Sequence, residues 1–421
     1  MKKFIMSVLA ALMVVSLAAC GTAAPATQAA AKPADNVQYL KIAVQTPLTG
    51  SMADWGEAAS TAAKYFADYI NKKGGFEVKG VKTLIQADIS DSTSDSTQSP
   101  TLLEGILSKD KYAAVVGNCT SALALAGVPV AEQQKVPLFW NGTSNALVGK
   151  GREFSFRVTP GGPEFTAAQV GLLSNMRTQY GLNLTKIAVF YENTSWGVSQ
   201  AGDSKKNIDA AGGFELVVNE KFEPKMTDAT ALITKAMNAG AEIVFVMAQP
   251  ADCKLILNTM TTMKFDPLII GGGGSFLFPS LAKELGDKVE GVLTVAGTNW
   301  SNAFLNSDPE LVEFVKGYEK EYGHFLNDHG VQVIVQMATV IEAAQKSGSL
   351  LGADIGPVLH SDTFSNKFTK MIQPGTPIKF NKDGDVLPYA IMVQWQNKQP
   401  VCVYPLEAAS GKLIVPEQIK K

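Results

Sequence analysis

The chain has 421 residues, 46% of them hydrophobic and 18% charged, and a formal net charge of -2 at pH 7. A chain of this length can form two domains, each with its own hydrophobic core. The near-neutral charge argues against nucleic acid as a partner and provides no basic patch for lipid headgroups.

The first predicted element is an export signal. Lys2 and Lys3 precede an apolar run over residues 4–19, which ends at Cys20. The run has the length of a signal-peptide core and is short for a membrane span. A cysteine that follows small residues at the end of such a run is typical of bacterial lipoproteins. We therefore predict removal of residues 1–19 and a lipid anchor on Cys20. The alternative is an ordinary signal peptide whose cysteine is incidental.

The next segment, residues 20–36, is rich in Ala, Thr and Pro and has almost no large apolar side chain. It cannot bury a core, so we predict a flexible linker between the membrane and the folded part. No later apolar run is long enough to span a bilayer. We expect an exported protein that its lipid holds at the periplasmic or outer face of the cell membrane.

Beyond the linker, short β-branched apolar runs alternate with longer amphipathic segments. This alternation predicts an α/β fold with parallel sheets and helices on both faces. The predicted strands cover residues 40–45, 83–87, 113–117, 137–140, 186–191, 243–247, 268–271 and 291–296. The predicted helices cover residues 55–73, 100–109, 121–134, 164–180, 196–211, 228–238, 252–263, 308–322 and 330–345. A hairpin with its tip at residues 397–399 is predicted near the end of the chain.

Two sheets are favoured over one, because a single sheet with so many parallel strands is uncommon. The break is predicted near residues 157–163, where Pro and Gly interrupt both patterns.

Two predicted strands end in loops rich in hydroxyl groups and glycine. The strand ending at residue 117 leads to Ser121 at the start of a helix, and the strand ending at residue 140 leads to Asn141, Gly142, Thr143 and Ser144. Hydroxyls and free backbone N–H groups at the carboxyl ends of parallel strands suit a carboxylate or another small anion. Helix capping alone would explain either loop by itself. Two adjacent loops of this kind favour a shared anion site.

Three tryptophans, Trp55, Trp196 and Trp300, also follow predicted strand ends. An indole at such a junction is more often half-buried packing than a ligand contact. Three of the five tryptophans at predicted strand ends are nevertheless more than packing alone would place there.

Motifs of catalysis and of cofactor binding are missing from the sequence. The glycine run at residues 271–274 lacks the lysine of a phosphate loop, and no nucleophile elbow is present. The acidic stretches at residues 88–91 and 383–385 lack EF-hand spacing and are better explained as turns. We expect no catalytic site, no cofactor and no metal.

Cysteine usage leaves one question open. With Cys20 assigned to lipid, Cys119, Cys253 and Cys402 remain, far apart in sequence. One pair could form a disulfide in an oxidising compartment.

The order of these motifs resembles the type I periplasmic-binding fold, in the branched-chain amino-acid-binding branch of ABC transporter receptors. The resemblance runs from about residue 37 to residue 416. It is carried by Leu48-Thr49-Gly50 with Trp55-Gly56, by Val115-Val116-Gly117 with Thr120-Ser121, by Gly142-Thr143-Ser144, by Tyr191-Glu192 with Trp196-Gly197, and by Asp383-Gly384-Asp385 with Gln394-Trp395-Gln396.

The resemblance implies two Rossmann-like lobes joined by a three-stranded hinge and closing on a ligand. Lobe 1 would comprise residues 37–158 and 299–377, and lobe 2 residues 159–298 and 378–421. The crossings would fall near residues 157–160, 296–299 and 374–383.

The resemblance also implies the site. Ser121, Gly142 and Ser144 would hold the ligand carboxylate, and Trp55 and Trp196 would enclose the ligand from opposite lobes. Asn141 and Thr143 lie in the same loops, and Gln249 and Gly273 occupy the matching loops of lobe 2.

One departure from the family pattern bears on the ligand. The family places an acid that receives the amino-acid ammonium where this chain has Gly273. A buried ammonium without a carboxylate costs several kcal/mol. Either Asp252 or Glu192 takes that role, or the ligand has no α-amino group. We expect the second, a carboxylate with an aromatic or other non-amino-acid body that uses the space left by the four glycines. The branched-chain or other hydrophobic amino acid remains the alternative.

The resulting hypothesis is the substrate receptor of an ABC importer, with a small-molecule ligand and the transporter permease as partners and the chain a monomer. A ligand-sensing module of a signalling system is the competing function, because it uses the same fold. Such modules usually continue into a membrane span or kinase, whereas this sequence ends at Lys421. An exported enzyme is disfavoured because nucleophile–base sets are missing.

Overall fold

The computed structural model describes residues 36–301, 304–372, 377–386 and 390–417. The predicted signal peptide, Cys20 and all but the last residue of the predicted linker lie outside the described residues. Among the described helices, none combines the length and apolar character needed to cross a membrane.

A six-stranded sheet forms the first half of the fold. Its strands are β1 (Val37–Thr46), β2 (Phe76–Val78), β3 (Val81–Asp91), β4 (Ala114–Asn118), β5 (Leu138–Trp140) and β6 (Ser155–Arg157). They lie in the order β2-β3-β1-β4-β5-β6, and all pairs except β2–β3 are parallel. The central strands are continuous apolar runs because helices cover both faces of a parallel sheet. Residues 42–44 of β1 are accordingly fully buried.

A seven-stranded sheet forms the second half. Its strands are β7 (Lys186–Glu192), β8 (Glu215–Phe222), β9 (Ile243–Met247), β10 (Leu268–Gly271), β11 (Leu293–Ala296), β12 (Ile391–Gln396) and β13 (Gln399–Tyr404). They lie in the order β13-β12-β11-β10-β9-β7-β8. The strands from β7 to β11 pair in parallel, and the terminal hairpin β12–β13 adds an antiparallel edge.

Helices connect and cover both sheets. They are α1 (Ala53–Lys72), α2 (Ser99–Leu107), α3 (Ser121–Gln134), α4 (Gly162–Tyr180), α5 (Ser195–Ala211), α6 (Thr230–Asn238), α7 (Pro250–Thr262), α8 (Pro279–Leu285), α9 (Pro309–Tyr322), α10 (Asp328–Ser347) and α11 (Gly352–Ser361). The α/β fold with two parallel-dominated sheets that the sequence predicts is thereby confirmed.

Helix α10 returns from the second sheet to pack against α1 and β4 on the first. Residues 328–340 of α10 are buried throughout, as expected for a helix with neighbours on all sides. Gly330 permits the approach, because a Cβ there would lie 3.2 Å from the Cβ of Ala62. This packing brings polar side chains of α10 close to the loops that follow β4 and β5.

The segment at residues 378–386 differs from its predicted position. The sequence assigned it to lobe 2, but Ile378 pairs with Phe364, and Phe380 packs on Phe156 with ring centroids 5.1 Å apart. Asp385 also forms a buried ion pair with Arg157 of β6. The apolar cluster and the ion pair hold this segment on the first sheet.

Cys119, Cys253 and Cys402 are buried and free. The disulfide that the sequence left open is therefore not formed among the described residues. Of the two acidic stretches, residues 383–385 form the predicted turn, in which the backbone N–H of Gly384 donates to the carbonyl oxygen of Asn381. Residues 88–91 do not, because they are the last residues of strand β3; the Asp91 carboxylate accepts hydrogen bonds from the backbone N–H groups of Leu48 and Thr93 in the neighbouring loops. No group of three His, Cys, Asp or Glu side chains in the described part of the chain is placed to hold a metal ion.

Candidate functional site

Two loops at the carboxyl end of the first sheet meet face to face. One leaves β4 at Asn118 and enters α3 at Ser121, and the other follows β5 through residues 141–144. The backbone N–H of Ser144 donates to the hydroxyl oxygen of Ser121 at 3.1 Å, which ties the loops together. We call these loops, residues 118–121 and 141–144, the cradle.

Glycine at position 142 is required for this close contact. A Cβ on Gly142 would lie 2.9 Å from both Cα and Oγ of Ser121 and 2.4 Å from Cδ1 of Leu147. The first two distances are shorter than real Cβ contacts allow, and the backbone of Ser121 cannot yield as a flexible side chain would. The cradle thus depends on the missing side chain.

The cradle presents hydrogen-bond donors. The Ser121 hydroxyl accepts from Ser144 and keeps its own hydrogen for another acceptor. The Thr143 hydroxyl oxygen is buried with no partner among the described residues. A buried hydroxyl without a partner is costly, so these groups are suited to an anionic ligand.

Loops from the second sheet face the cradle. They follow the carboxyl ends of β7, β9 and β10 and carry Trp196, Gln249 and Gly273, respectively. Trp196 is the second residue of α5, and its indole N–H donates to Oε1 of Gln200, one helical turn further along, at 2.6 Å, which fixes the ring. The carboxyl ends of both sheets therefore converge on one cleft, the place where parallel sheets bind ligands.

Trp55 bridges the two sides of this cleft. Its indole N–H donates to Oε1 of Gln249 at 2.7 Å, and its ring lies 4.9 Å from that of Phe278 and 5.0 Å from that of His329, centroid to centroid. A second bridge runs from Asn145 to Asp203, at 3.0 Å between Nδ2 and Oδ2. With these contacts across it, the cleft between the two sheets is closed in the structure.

The closed cleft contains a cavity of about 20 Å³. It is lined by Trp55, Thr120, Ser121, Asn141, Gly142, Thr143, Trp196, Gln249 and Gly273. All the predicted ligand-binding residues except Ser144 are brought together here. Ser144 does not line the cavity but donates its backbone N–H to Ser121, and Thr120, which was not predicted as a ligand contact, does line it. The cavity has room for only one or two water molecules, so an organic ligand requires the cleft to widen.

The glycine run does not leave the space that was expected for a ligand. A Cβ on Gly273 would lie 2.9 Å from the Phe165 ring, and one on Gly274 would lie 2.3 Å from the Trp55 ring. In the closed arrangement these rings occupy the volume that the missing side chains would need. That part of the ligand hypothesis is corrected, because the glycines accommodate the protein's own aromatic side chains. No sequence signal had singled out Phe165, which lies in the first turn of α4.

The two acids considered for an ammonium have other partners. Asp252 accepts from the backbone N–H groups of Lys225 and Met226, each at 2.9 Å. Glu192 is buried and accepts from the backbone N–H of Gln249 at 2.6 Å. Neither acid lines the cavity, and none of the nine described residues that do is acidic.

Burial raises the pKa of the Glu192 carboxyl from 4.5 to about 7, and the nearby Asp252 charge acts in the same direction. Native protein then holds this proton at a pH where unfolded protein has lost it. Its contribution to stability is complete below pH 4.5 and is lost as the pH rises to about 7.

We predict that Glu192→Gln removes this pH dependence. Glutamine keeps an acceptor for the Gln249 N–H but cannot ionise. Between pH 4.5 and 7 the wild-type free energy of unfolding should fall by about 3 kcal/mol relative to the variant. Urea denaturation at pH 5 and pH 8 measures the free energy of unfolding of both proteins. The same wild-type minus variant difference in that free energy at the two pH values would contradict the prediction.

Larger cavities lie outside the cradle. One of about 510 Å³ includes Leu268 and Gly291, at the amino ends of β10 and β11. Ligands of parallel sheets bind at the opposite ends of the strands. Another, of about 470 Å³, adjoins Phe278 on the rim of the cleft and includes Asp54 and Tyr322. Neither contains cradle residues.

Comparisons with known proteins show the family of the chain. The family model described as periplasmic binding protein matches residues 39–400. A curated relative, Leu/Ile/Val-binding protein homolog 8 of Brucella abortus, is 26% identical over 381 residues, which are 87% of this chain and 91% of the relative.

Solved structures share the fold. The branched-chain amino acid substrate-binding protein LivJ of Streptococcus pneumoniae, in complex with isoleucine, has a TM-score of 0.72 at 21% identity and covers 87% of this chain and 99% of its own. A solute-binding protein of an ABC transporter from Rhodopseudomonas palustris, in complex with 3,4-dihydroxybenzoic acid, has a TM-score of 0.68 at 20% identity and covers 86% and 95%.

Proposed function

The chain belongs to the type I periplasmic binding protein family, in its branched-chain amino-acid branch of ABC substrate-binding proteins, and on this premise we propose that it captures a carboxylate whose body is aromatic or otherwise not that of an amino acid. The nine residues that line the cavity are proposed as the ligand contacts. The ligand would enter an open cleft and be enclosed when the lobes close.

The composition of the cavity wall carries this proposal. Ser121 and Thr143 offer hydroxyl donors, whereas the lining includes no acidic side chain. A carboxylate would find donors there, but an α-ammonium would be buried without a counter-charge, which costs several kcal/mol. The ligands of the two solved structures, isoleucine and 3,4-dihydroxybenzoic acid, both have a carboxylate. The aromatic one has no ammonium.

A branched-chain amino acid is the second candidate. The relatives with Leu/Ile/Val-binding names favour it, as does Glu192, whose carboxylate is one contact away from the cavity through Gln249. For this ligand Glu192 would have to ionise, and the cleft would have to open far enough for its carboxylate to receive the ammonium.

Isothermal titration calorimetry distinguishes the two candidates. The proposal predicts heat of binding for 3,4-dihydroxybenzoate and none for leucine at the same concentration. Tight binding of leucine with aromatic acids inert would contradict it and support the second candidate. Native mass spectrometry of the purified protein adds the mass of any ligand that it retains.

We predict that Ser121→Ala weakens carboxylate binding by about 1.5–3 kcal/mol, because a charge-assisted hydrogen bond is lost. The change leaves Gly142 in place, so the fold should be retained. Calorimetry with the carboxylate measures it. An unchanged dissociation constant would remove Ser121 from the ligand contacts.

The location and partners are proposed from the N-terminal sequence. A lipid on Cys20 and a tether over residues 20–36 would keep a monomeric receptor near its permease, and the raised local concentration favours transfer of the ligand. We predict that Cys20→Ala moves the protein from the membrane fraction to the soluble fraction of the cell envelope. Retention of the variant on membranes would contradict the lipid anchor.

A further inference from the structure

A chain of hydrogen bonds leads from the first sheet to the cradle through helix α10. It begins at the backbone N–H of Gly117, which donates to Oε1 of Gln336 at 3.2 Å. A backbone N–H can only donate, so this contact determines which end of the Gln336 amide faces β4. The amide nitrogen of Gln336 must then face the other way, and it donates to Oδ1 of Asn141.

The same logic sets the orientation of Asn141. Its oxygen accepts from Gln336, so its nitrogen faces His329, where Nδ2 and Nδ1 are 2.5 Å apart. Nδ1 of His329 is therefore the acceptor, and the ring proton is on Nε2. The ring is 2% exposed, and burial lowers the pKa of His329 to about 3, which keeps it neutral. We call Gly117, Gln336, Asn141 and His329 the relay.

The direction of the relay determines what Asn141 offers to the cavity that it lines. The Asn141 oxygen is occupied by Gln336, while its NH₂ group has a second hydrogen that the relay does not use. The group free for a ligand is thus a donor, like the Ser121 hydroxyl and the unpartnered Thr143 hydroxyl beside it.

We propose that Gln336 and His329 are positioning residues that set the polarity of the Asn141 amide, and that this polarity makes the cradle select a carboxylate over the corresponding neutral amide. The inference rests on the proposed function, since it concerns the specificity of the same site. Neither residue lines the cavity, so each acts through Asn141.

Gln336→Glu reverses the relay. An ionised carboxylate at position 336 accepts from Gly117 and can only accept from Asn141 as well, so the Asn141 amide must turn. Position 336 is fully buried, which favours the neutral acid, so this variant is compared above pH 7 as well. Its oxygen then faces His329, whose proton moves to Nδ1. An amide oxygen would stand where the donor stood, and it would repel a carboxylate. Gln345→Glu is the matched control, because it makes the same substitution at an exposed position of α10.

The tautomer of His329 is measured by ¹⁵N NMR of the side chain at pH 7 and pH 9, so that the carboxyl of Gln336→Glu is ionised in at least one sample, with the signal assigned through His329→Gln. Selectivity is measured by calorimetry as the ratio of affinities for 3,4-dihydroxybenzoate and 3,4-dihydroxybenzamide. We expect Nε2–H in wild type and in Gln345→Glu, and Nδ1–H in Gln336→Glu. We also expect the affinity ratio to fall by about tenfold or more in Gln336→Glu alone.

An Nδ1–H tautomer in wild type would overturn the inference, and this result does not require any variant to fold. An unchanged affinity ratio in Gln336→Glu, despite a reversed tautomer, would overturn it as well. If Gln336→Glu does not fold, Gln336→Met breaks the relay without reversing it and must still lower the ratio. Binding of leucine with both aromatic probes inert would instead contradict the proposed function, and the ratio for leucine and leucinamide would then test the relay.

Discussion

Replacing Gly142 with alanine is expected to lower ligand affinity by about 100-fold or more, or about 3 kcal/mol. The added Cβ would sit 2.9 Å from Cα of Ser121, so the two loops of the cradle would have to separate. This separation would break the hydrogen bond from the Ser144 N–H to the Ser121 hydroxyl. The hydroxyl donors of Ser121 and Thr143 would then no longer point at the same ligand carboxylate. The overpacking itself should cost about 1–3 kcal/mol of folding stability.

Calorimetry with the bound carboxylate measures the loss of affinity, and urea denaturation measures the stability. Gly105→Ala is the control, since Gly105 lies in α2 with open space where a Cβ would point. That variant should bind normally and be as stable as wild type or slightly more so, because alanine favours the helix. A Gly142→Ala protein that binds like the control would show that the close contact of the loops is unimportant.

Replacing Trp55 with alanine should also weaken binding by about 100-fold, or about 3 kcal/mol. The indole is the largest side chain that crosses the cleft, and it contacts Gln249, Phe278 and the backbone at Gly274. Without it, the closed arrangement loses packing area and its hydrogen bond. The lobes should then remain further apart at saturating ligand, with a larger radius of gyration in small-angle X-ray scattering.

Trp55→Phe separates the two contributions. It keeps an aromatic ring but loses the N–H that donates to Gln249, so its effect should be limited to about 1 kcal/mol. Equal losses in the two variants would assign the whole effect to the hydrogen bond. Full closure of Trp55→Ala at wild-type affinity would contradict the bridging role.

The parts of the site that the sequence predicts are those with a local signal. Parallel strands are buried on both faces, so their apolar runs reveal where each strand ends, and ligands gather at those ends. Ser121, Gly142 and Trp196 could be found in this way from their positions after predicted strands. Each of them lines the cavity in the structure.

Other features depend on contacts between distant segments and leave no local pattern. Phe165 reaches Gly273 across more than one hundred positions of sequence, and His329 meets Asn141 only because α10 returns to the first sheet. The glycine run at residues 271–274 illustrates the limit. The sequence shows that residues 271–274 have no side chains. It does not show which groups fill the space beside them, because tertiary packing places the rings of Phe165 and Trp55 there.

The boundary at residue 378 has a similar cause. Phe380 and Asp385 look like ordinary turn residues in the sequence, and their partners Phe156 and Arg157 lie more than 200 positions earlier. Strand β8 was also missed, because it lies at the edge of its sheet and only Phe222 among its residues is buried. An edge strand has no continuous apolar run to mark it.

The most direct test of the account compares two ligands that differ only in the α-ammonium group, phenylalanine and 3-phenylpropanoate. Calorimetry of the purified protein measures both dissociation constants under the same conditions. A cavity wall with carboxylate donors and no acidic side chain predicts that 3-phenylpropanoate binds more tightly than phenylalanine, since only the latter must bury an unpaired ammonium. Tighter binding of phenylalanine would contradict the account, because it would require an acid at the site.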